Sequence, residues 1–319
     1  MGDHVLQLLL RLPRTPRLSV LGFHRVVAEP DPLRPGEPTA ERFEQRMRWV
    51  KANFRVLALT EAIRALREDR LPERALCITF DDGYADNHDL ALPVLRRLGM
   101  PATFFVASGY LDGGCMFNDA VIEAVRQARR PVLDLQPLAL GRHDLPSVEA
   151  RRVAIASILD RLKYFEPTRR NAATQAVLEH AGAAAPAGLM MRSAQVAALH
   201  AAGMEIGAHT HTHPILAEVP LHRARDEIAR GRERLEEITR APVRVFAYPN
   251  GRPLRDYRSE HATLVRELGF EGAVTSAWGA ARAGDDLFQI PRFTPWDGAN
   301  WRFGLRLARN RLANRYACA

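Results

Sequence analysis

Residues 75–83 read Ala-Leu-Cys-Ile-Thr-Phe-Asp-Asp-Gly, an apolar run that ends abruptly in Asp81, Asp82 and Gly83. A short run without polar alternation is the pattern of a strand covered on both faces, as in a parallel sheet. Acids at the carboxyl end of such a strand stand where α/β barrels keep their catalytic groups. Successive strand residues face opposite ways, so the two carboxylates converge only if the backbone bends, which Gly83 permits. Adjacent carboxylates also repel, and both stay ionised only beside positive charge. Asp-Asp-Gly is equally common turn chemistry, so this stretch alone does not separate a site from a turn.

Similar runs recur along the chain. Segments 18–23, 102–106, 204–208, 243–248, 272–276 and 288–293 read as further short strands. Helical patterns lie between them. Thr39 caps a helix through Asn53, Thr60 one through Asp69, and 86–98 ends at Gly99. Ser193 opens a helix that closes before Gly203. Segment 221–239 carries Leu221, Ala224, Ile228, Leu235 and Ile238 on one stripe. About seven alternating units predict an α/β fold, a distorted barrel of seven β/α units rather than an open sheet. Segment 110–191 breaks the rhythm: it reads as mostly helical and is punctuated by prolines. It is expected to be an insertion between two strands of one barrel spanning 17–300, with 1–16 a separate N-terminal segment.

The second decisive stretch, 205–214, reads Glu-Ile-Gly-Ala-His-Thr-His-Thr-His-Pro. His209 and His213 are four apart and share a face on a helical turn, whereas an extended chain would align all three histidines. Clustered imidazoles need a metal or an acid, and a His-x-x-x-His pair with acids on another strand points to a metal site.

Thr-Phe-Asp-Asp-Gly followed by His-Thr-x-x-His-Pro resembles the polysaccharide deacetylases of the NodB-homology type, carbohydrate esterase family 4, over roughly 17–295. The resemblance implies a distorted (β/α)7 barrel, with Asp82, His209 and His213 holding a divalent metal and Asp81 as general base. His211 falls at a variable position of the motif and stays outside the ligand set. Zinc is the expected ion, although cobalt or nickel suits the same ligands. Tyr248-Pro249-Asn250-Gly251 is similar to the end of the family's Arg-x-Pro-x-Gly motif, which puts the Asn250 backbone N–H at the oxyanion position. One carboxylate and two imidazoles leave coordination positions open, as hydrolysis requires.

Three departures stand out. Ala247 replaces the arginine that in many members orients the catalytic aspartate. No Asp-x-x-Asp-Trp pattern occurs near 274–278. Ile290-Pro291-Arg292-Phe293 lies where others carry a Leu-x-His that supplies the general acid. Leu21-Gly22-Phe23-His24-Arg25-Val26 is similar to the Tyr-His-Arg-Val start of deacetylases acting in exopolysaccharide synthesis, many of which also read Phe-Ala-Tyr-Pro and Leu-Pro-Arg. His24 is therefore the candidate acid or substrate-orienting group, with Arg292 near the same rim.

The implied substrate is an acetylated amino sugar of a polysaccharide or glycan precursor. Two alternatives stay open at this level: a carbohydrate-binding or regulatory protein with weak or no turnover, and an O-deacetylase. The chain carries 45 Lys and Arg against 37 acids, a net +8, which suits an anionic partner. Its arginines are scattered and no recognition motif appears, so nucleic acid is not expected. Beyond Asp297 there are no acids, and arginines alternate with Trp301, Leu305, Ala308, Leu312 and Tyr316. This basic amphipathic helix at 301–319 suits an anionic membrane surface. Three cysteines without metal spacing, and an apolar N-terminal run at 5–10 too short for a leader, suggest a cytoplasmic protein.

Overall fold

The computed structural model describes residues 15–295, 297–313 and 315–319; the run at 5–10 and most of the segment 1–16 lie outside them. Elements are numbered in chain order. Seven parallel strands follow one another round a nearly closed barrel: β1 (Ser19–Phe23), β3 (Ala75–Phe80), β4 (Thr103–Val106), β7 (Glu205–Ala208), β8 (Val245–Ala247), β9 (Gly272–Trp278) and β10 (Ile290–Arg292). The ring is joined by Gly22 donating to the Phe293 carbonyl at 3.0 Å and Phe293 donating to that of Val20 at 2.7 Å. The predicted (β/α)7 architecture is the one observed. A two-residue strand absent from the sequence reading, β2 (Arg55–Val56), pairs with the start of β3.

Strand alternation divides the core. Val20, Cys77, Phe105, Val245, Val274 and Ile290 share one buried cluster inside the barrel. Leu21, Ile78, Phe80, Phe104 and Phe246 face the surrounding helices. The same parity carries Thr79, Asp81 and Arg292 inward.

Helices α1 (Ala40–Asn53), α3 (Leu92–Leu98), α7 (Ser193–Ala201) and α8 (Leu221–Thr239) lie close to their predicted positions. Thr39 caps α1 as expected, and Gly99 ends α3 with φ 61°. Thr60 is not a cap. Helix α2 (Leu59–Arg67) begins two residues earlier than that cap would place it, with Ala58 at its cap position, and the Glu205 carboxylate accepts the Leu59 N–H at 3.0 Å and the Thr60 hydroxyl. An acid at the start of β7 thus satisfies the first turn of α2, which lies across the N-terminal ends of the strands. Segment 86–98 is helical without a break, but its start winds as a π-helical turn, Asn87–Ala91, before α3, where Pro93 supplies no N–H. Leu221 sits off the buried stripe of α8 and is exposed, while Ala224, Ile228 and Leu235 are buried.

Between β4 and β7 the insertion is not helical throughout. Helices α4 (Phe117–Gln127), α5 (Val148–Leu162) and α6 (Pro167–Ala181) pack around an antiparallel hairpin, β5 (Val132–Leu135) with β6 (Gly141–Asp144). Leu133 and Leu135 point into this unit's own apolar cluster, a period of two too short to stand out in the sequence. Helix α9 (Ser259–Glu267) completes the outer layer.

Helix α10 (Asn300–Leu312) packs on the barrel mainly through residues outside the stripe read from the sequence, with Ala308 alone of that stripe buried within the helix. Phe303 and Leu307 are fully buried, whereas Trp301, Leu305 and Leu312 are exposed. Phe303 packs edge-on against Trp49 and Phe293 at 5.3 and 5.7 Å, which covers barrel surface. Phe303→Ala is therefore expected to cost about 3–5 kcal/mol by chemical denaturation, while Leu305→Ala on the outer face shifts stability by less than about 0.5 kcal/mol.

Candidate active site and metal centre

Asp81 continues the inward column of β3. Strict alternation would turn Asp82 outward, but Asp82 has φ 76° and Gly83 φ 92°, and this left-handed pair brings the second carboxylate back to the barrel mouth. A side chain at Gly83 would start 2.9 Å from Val106 Cγ1, so the turn needs glycine twice over.

The histidine loop follows β7. His209 points inward and its Nδ1 meets the Ala247 carbonyl at 2.7 Å, which leaves Nε2 facing Asp82. Left-handed Thr210 and His213 fold the loop back, and Thr210 Oγ1 accepts the His213 N–H at 3.0 Å. From α8, Glu227 accepts the N–H groups of His211 and Thr212 at 3.1 and 2.7 Å and the Thr212 hydroxyl at 2.7 Å. Gly231 lets α8 approach: a Cβ there would lie 2.6 Å from the Thr210 carbonyl carbon. His211 turns away, its Nδ1 2.9 Å from Ser108 Oγ. Neither Glu227 nor Gly231 stands out in the sequence, because each acts across a tertiary contact.

Asp82, His209 and His213 come together with one ligand atom from each within 4.8 Å of the others. His209 Nε2 and His213 Nε2 lie 3.5 and 3.4 Å from Asp82 Oδ1. Ligands at roughly 2.1 Å from a shared tetrahedral ion stand about 3.4 Å apart. Asp82 Oδ1 is buried without a hydrogen-bond partner, a costly arrangement unless a cation completes it. The donor set and its spacing therefore fit a divalent metal. Burial pushes His213 down to about 3, so its imidazole is neutral at physiological pH. Burial also opposes a charge on His209, but Asp82 and Asp81 outweigh it and raise its pKa.

Arg292 resolves the missing arginine of β8. Its Nη1 and Nη2 donate to Asp81 Oδ1 and Oδ2, both at 2.7 Å, while Nε donates to the Thr275 carbonyl at 2.9 Å. Burial works against the Asp81 carboxylate, yet Arg292 and then His209 prevail, and its pKa falls below the ordinary range. The guanidinium reaches the aspartate from the motif position where the resemblance led us to look for a histidine. Ala247, where an arginine was missed, instead supplies the carbonyl that orients His209.

A cavity of about 230 Å³ opens onto these groups, bounded by His24, Asn250, Ser276 and, from the insertion, Phe117, Leu159 and Lys163. A second lobe of about 300 Å³ continues past His24 to Arg34, Glu37 and Tyr84. His24 is exposed at the junction of the two, its carbonyl held by Asn87 Nδ2 at 2.8 Å. Glu37 accepts the backbone N–H of Arg25, and burial raises its pKa against the pull of His24. Asn250 borders the first lobe with φ 57°. Only distant sequence separates Glu37 and Lys163 from the motifs, which is why neither was foreseen.

Comparison with known proteins bears on the family and the fold. The family model for polysaccharide deacetylase matches residues 68–132 and 162–273. YxkH of Bacillus subtilis, whose name carries polysaccharide deacetylase as a provisional assignment, is 37% identical over 99 residues, 30% of this chain and 34% of that protein. The poly-beta-1,6-N-acetyl-D-glucosamine N-deacetylase of Staphylococcus epidermidis is 32% identical over 81 residues, 25% of this chain and 28% of that protein. The matched stretches thus span about a third or less of these curated relatives. The structure of IcaB from Ammonifex degensii superposes with a TM-score of 0.57 at 19% identity, covering 92% of this chain and 96% of that one, a likeness of fold.

Metal titration checks the three-residue centre. One equivalent of zinc is expected to bind tightly at neutral pH and Asp82→Asn to abolish that binding, while His211→Ala retains it. Because His209 holds its proton to a higher pH than a free imidazole, acidification is expected to weaken uptake, and raising the pH through the His209 pKa to restore it.

Proposed function

Because this chain belongs to the polysaccharide deacetylase family, we propose that it hydrolyses N-acetyl groups from amino sugars of a polysaccharide or glycan precursor, with a divalent metal, zinc by preference, at Asp82, His209 and His213. The observation that carries this reading is a buried carboxylate, Asp81, clamped by Arg292 beside the candidate metal ligands. A cation held for structure alone needs no second acid kept ionised next to it. The loss of the usual arginine, the main ground for an inactive relative, is offset by Arg292.

When bound, the ion supplies Lewis acidity, lowering the pKa of water and polarising an acyl oxygen. Asp81, ionised and fixed by two hydrogen bonds, takes the proton from the attacking water. The C–O bond forms as the carbonyl electrons move to oxygen, toward the backbone N–H of Asn250. Collapse breaks the C–N bond, and His24 gives the leaving nitrogen its proton, with Glu37 behind the His24 loop to orient it. Acetate and a free amine result. Poly-N-acetylglucosamine, the substrate in the name of the staphylococcal relative, belongs to this substrate class.

Acetate release from N-acetylated chitooligosaccharides tests the reading. Chelator is expected to abolish turnover and added zinc to restore it. Asp81→Asn is expected to lower kcat by about 10²–10⁴ and His24→Ala by about 10². Chelator-insensitive turnover, or full activity in Asp81→Asn, overturns the mechanism; release from O-acetylated but not N-acetylated sugars reassigns the bond.

The same reading includes contact with an anionic membrane, from the cytoplasmic side, through the outer face of α10. Support comes from Trp301, Leu305 and Leu312, which are 59%, 49% and 41% exposed beside exposed Arg302 and Arg309. The protein is expected to float with phosphatidylglycerol vesicles but not with neutral ones. A Trp301→Ala, Leu305→Ser, Leu312→Ser variant, which spares the buried face, is expected to stay in solution.

A further inference from the structure

Lys163, just after α5, borders the catalytic cavity together with Asp81 and His209. The next residue, Tyr164, is half-buried, with Lys163 Nζ 5.1 Å and Arg255 Cζ 4.9 Å from its ring centroid. Arg255 lies in the loop that also carries Asn250. The ring therefore bridges the insertion and the barrel loop at the mouth of the site. Arg252 and Arg255 are both exposed, and among the described residues neither guanidinium has a carboxylate within 4.0 Å. Two acids, Asp160 and Asp256, lie in the field of these three cations. Asp160 is exposed and bonds Lys163 at 2.5 Å, while buried Asp256 is turned to the backbone N–H of Arg252 at 2.9 Å. Between the two arginines, Leu254 is 70% exposed and holds φ 65°, a strained conformation for a branched side chain.

We infer that Lys163, Tyr164, Arg252 and Arg255 form a subsite for an anionic substituent, a carboxylate or phosphate, on the glycan beside the amino sugar that loses its acetyl group. This rests on the deacetylase reading for the position of the scissile group. Cations gathered on one aromatic ring repel each other, and an anion between them relieves that repulsion through charge-assisted hydrogen bonds. The ring and Leu254 supply an apolar platform for a sugar face beside the charges. The sign of the rim also matters after turnover. A deacetylated neighbour carries an ammonium group, which these cations repel, so the subsite fits an acidic glycan better than a run of amino sugars deacetylated one after another.

The test compares three substrates with the zinc-loaded full chain: neutral chitotetraose, a hyaluronan tetrasaccharide with a uronate beside each N-acetylated sugar, and N-acetylglucosamine 1-phosphate. For each anionic substrate the readout is its kcat/KM divided by that for chitotetraose. The Arg252→Gln, Arg255→Gln double variant is expected to lower this ratio about tenfold, and salt is expected to lower it in the wild type. A drop confined to the uronate assigns a glycan carboxylate, and one confined to the phosphate assigns a sugar phosphate. A ratio within twofold of wild type for both substrates overturns the inference. If no substrate releases acetate, the deacetylase reading fails separately, and equilibrium dialysis of the two tetrasaccharides decides the subsite. Tighter hyaluronan binding that the double variant removes upholds it, and equal binding in both proteins overturns it.

Discussion

The buried ion pair between Asp81 and Arg292 is the constraint around which the barrel mouth is arranged. Taking two charges out of water costs several kcal/mol per ion, recovered only when geometry and further hydrogen bonds are good. Here both carboxylate oxygens face the guanidinium fork at 2.7 Å, and the Thr275 carbonyl takes the remaining Nε–H. The pair ties the end of β3 to β10 over the intervening β1, and Thr275 ties in β9 on the far side of β10. It also fixes the protonation of Asp81, because a carboxyl at this depth without its cation would favour the neutral form.

That pair explains why two departures from the family pattern occur together. An arginine is absent from β8 and a histidine from the β10 motif, and the arginine on β10 answers the first absence. Freed of a long side chain, Ala247 leaves its carbonyl open to His209, which sets the tautomer that turns Nε2 toward Asp82. On the proposed deacetylase reading the proton donor comes from elsewhere on the rim, and His24 just after β1 stands where the two lobes of the cleft meet.

The parts of this site that were legible in the sequence are those written as local pattern. The apolar run into Asp81 and Asp82 and the spacing of His209 and His213 identified the strands and brought the candidate ligands forward, and strand parity accounts for the inward turn of Asp81 and Arg292. What stayed hidden depends on contacts between distant segments. Glu205 displaces Thr60 as the cap of α2, Glu227 and Gly231 shape the histidine loop from α8, and Lys163 enters from the insertion. The outer helix shows the same limit: α10 carries apolar residues on two faces, and only the packing of Phe303 and Leu307 reveals which one the barrel buries. The hairpin of β5 and β6 escaped notice because four-residue strands give too short a period to outweigh the flanking helices.

The most direct measurement is kcat for acetate release by Arg292→Lys, read alongside its zinc stoichiometry. Lysine keeps the charge but not the two-pronged grip on Asp81. The account predicts one bound zinc, as in the wild type, with kcat at least about tenfold lower because the base is no longer held in line. Turnover within twofold of wild type would contradict it, since Asp81 would then need no guanidinium to do its work.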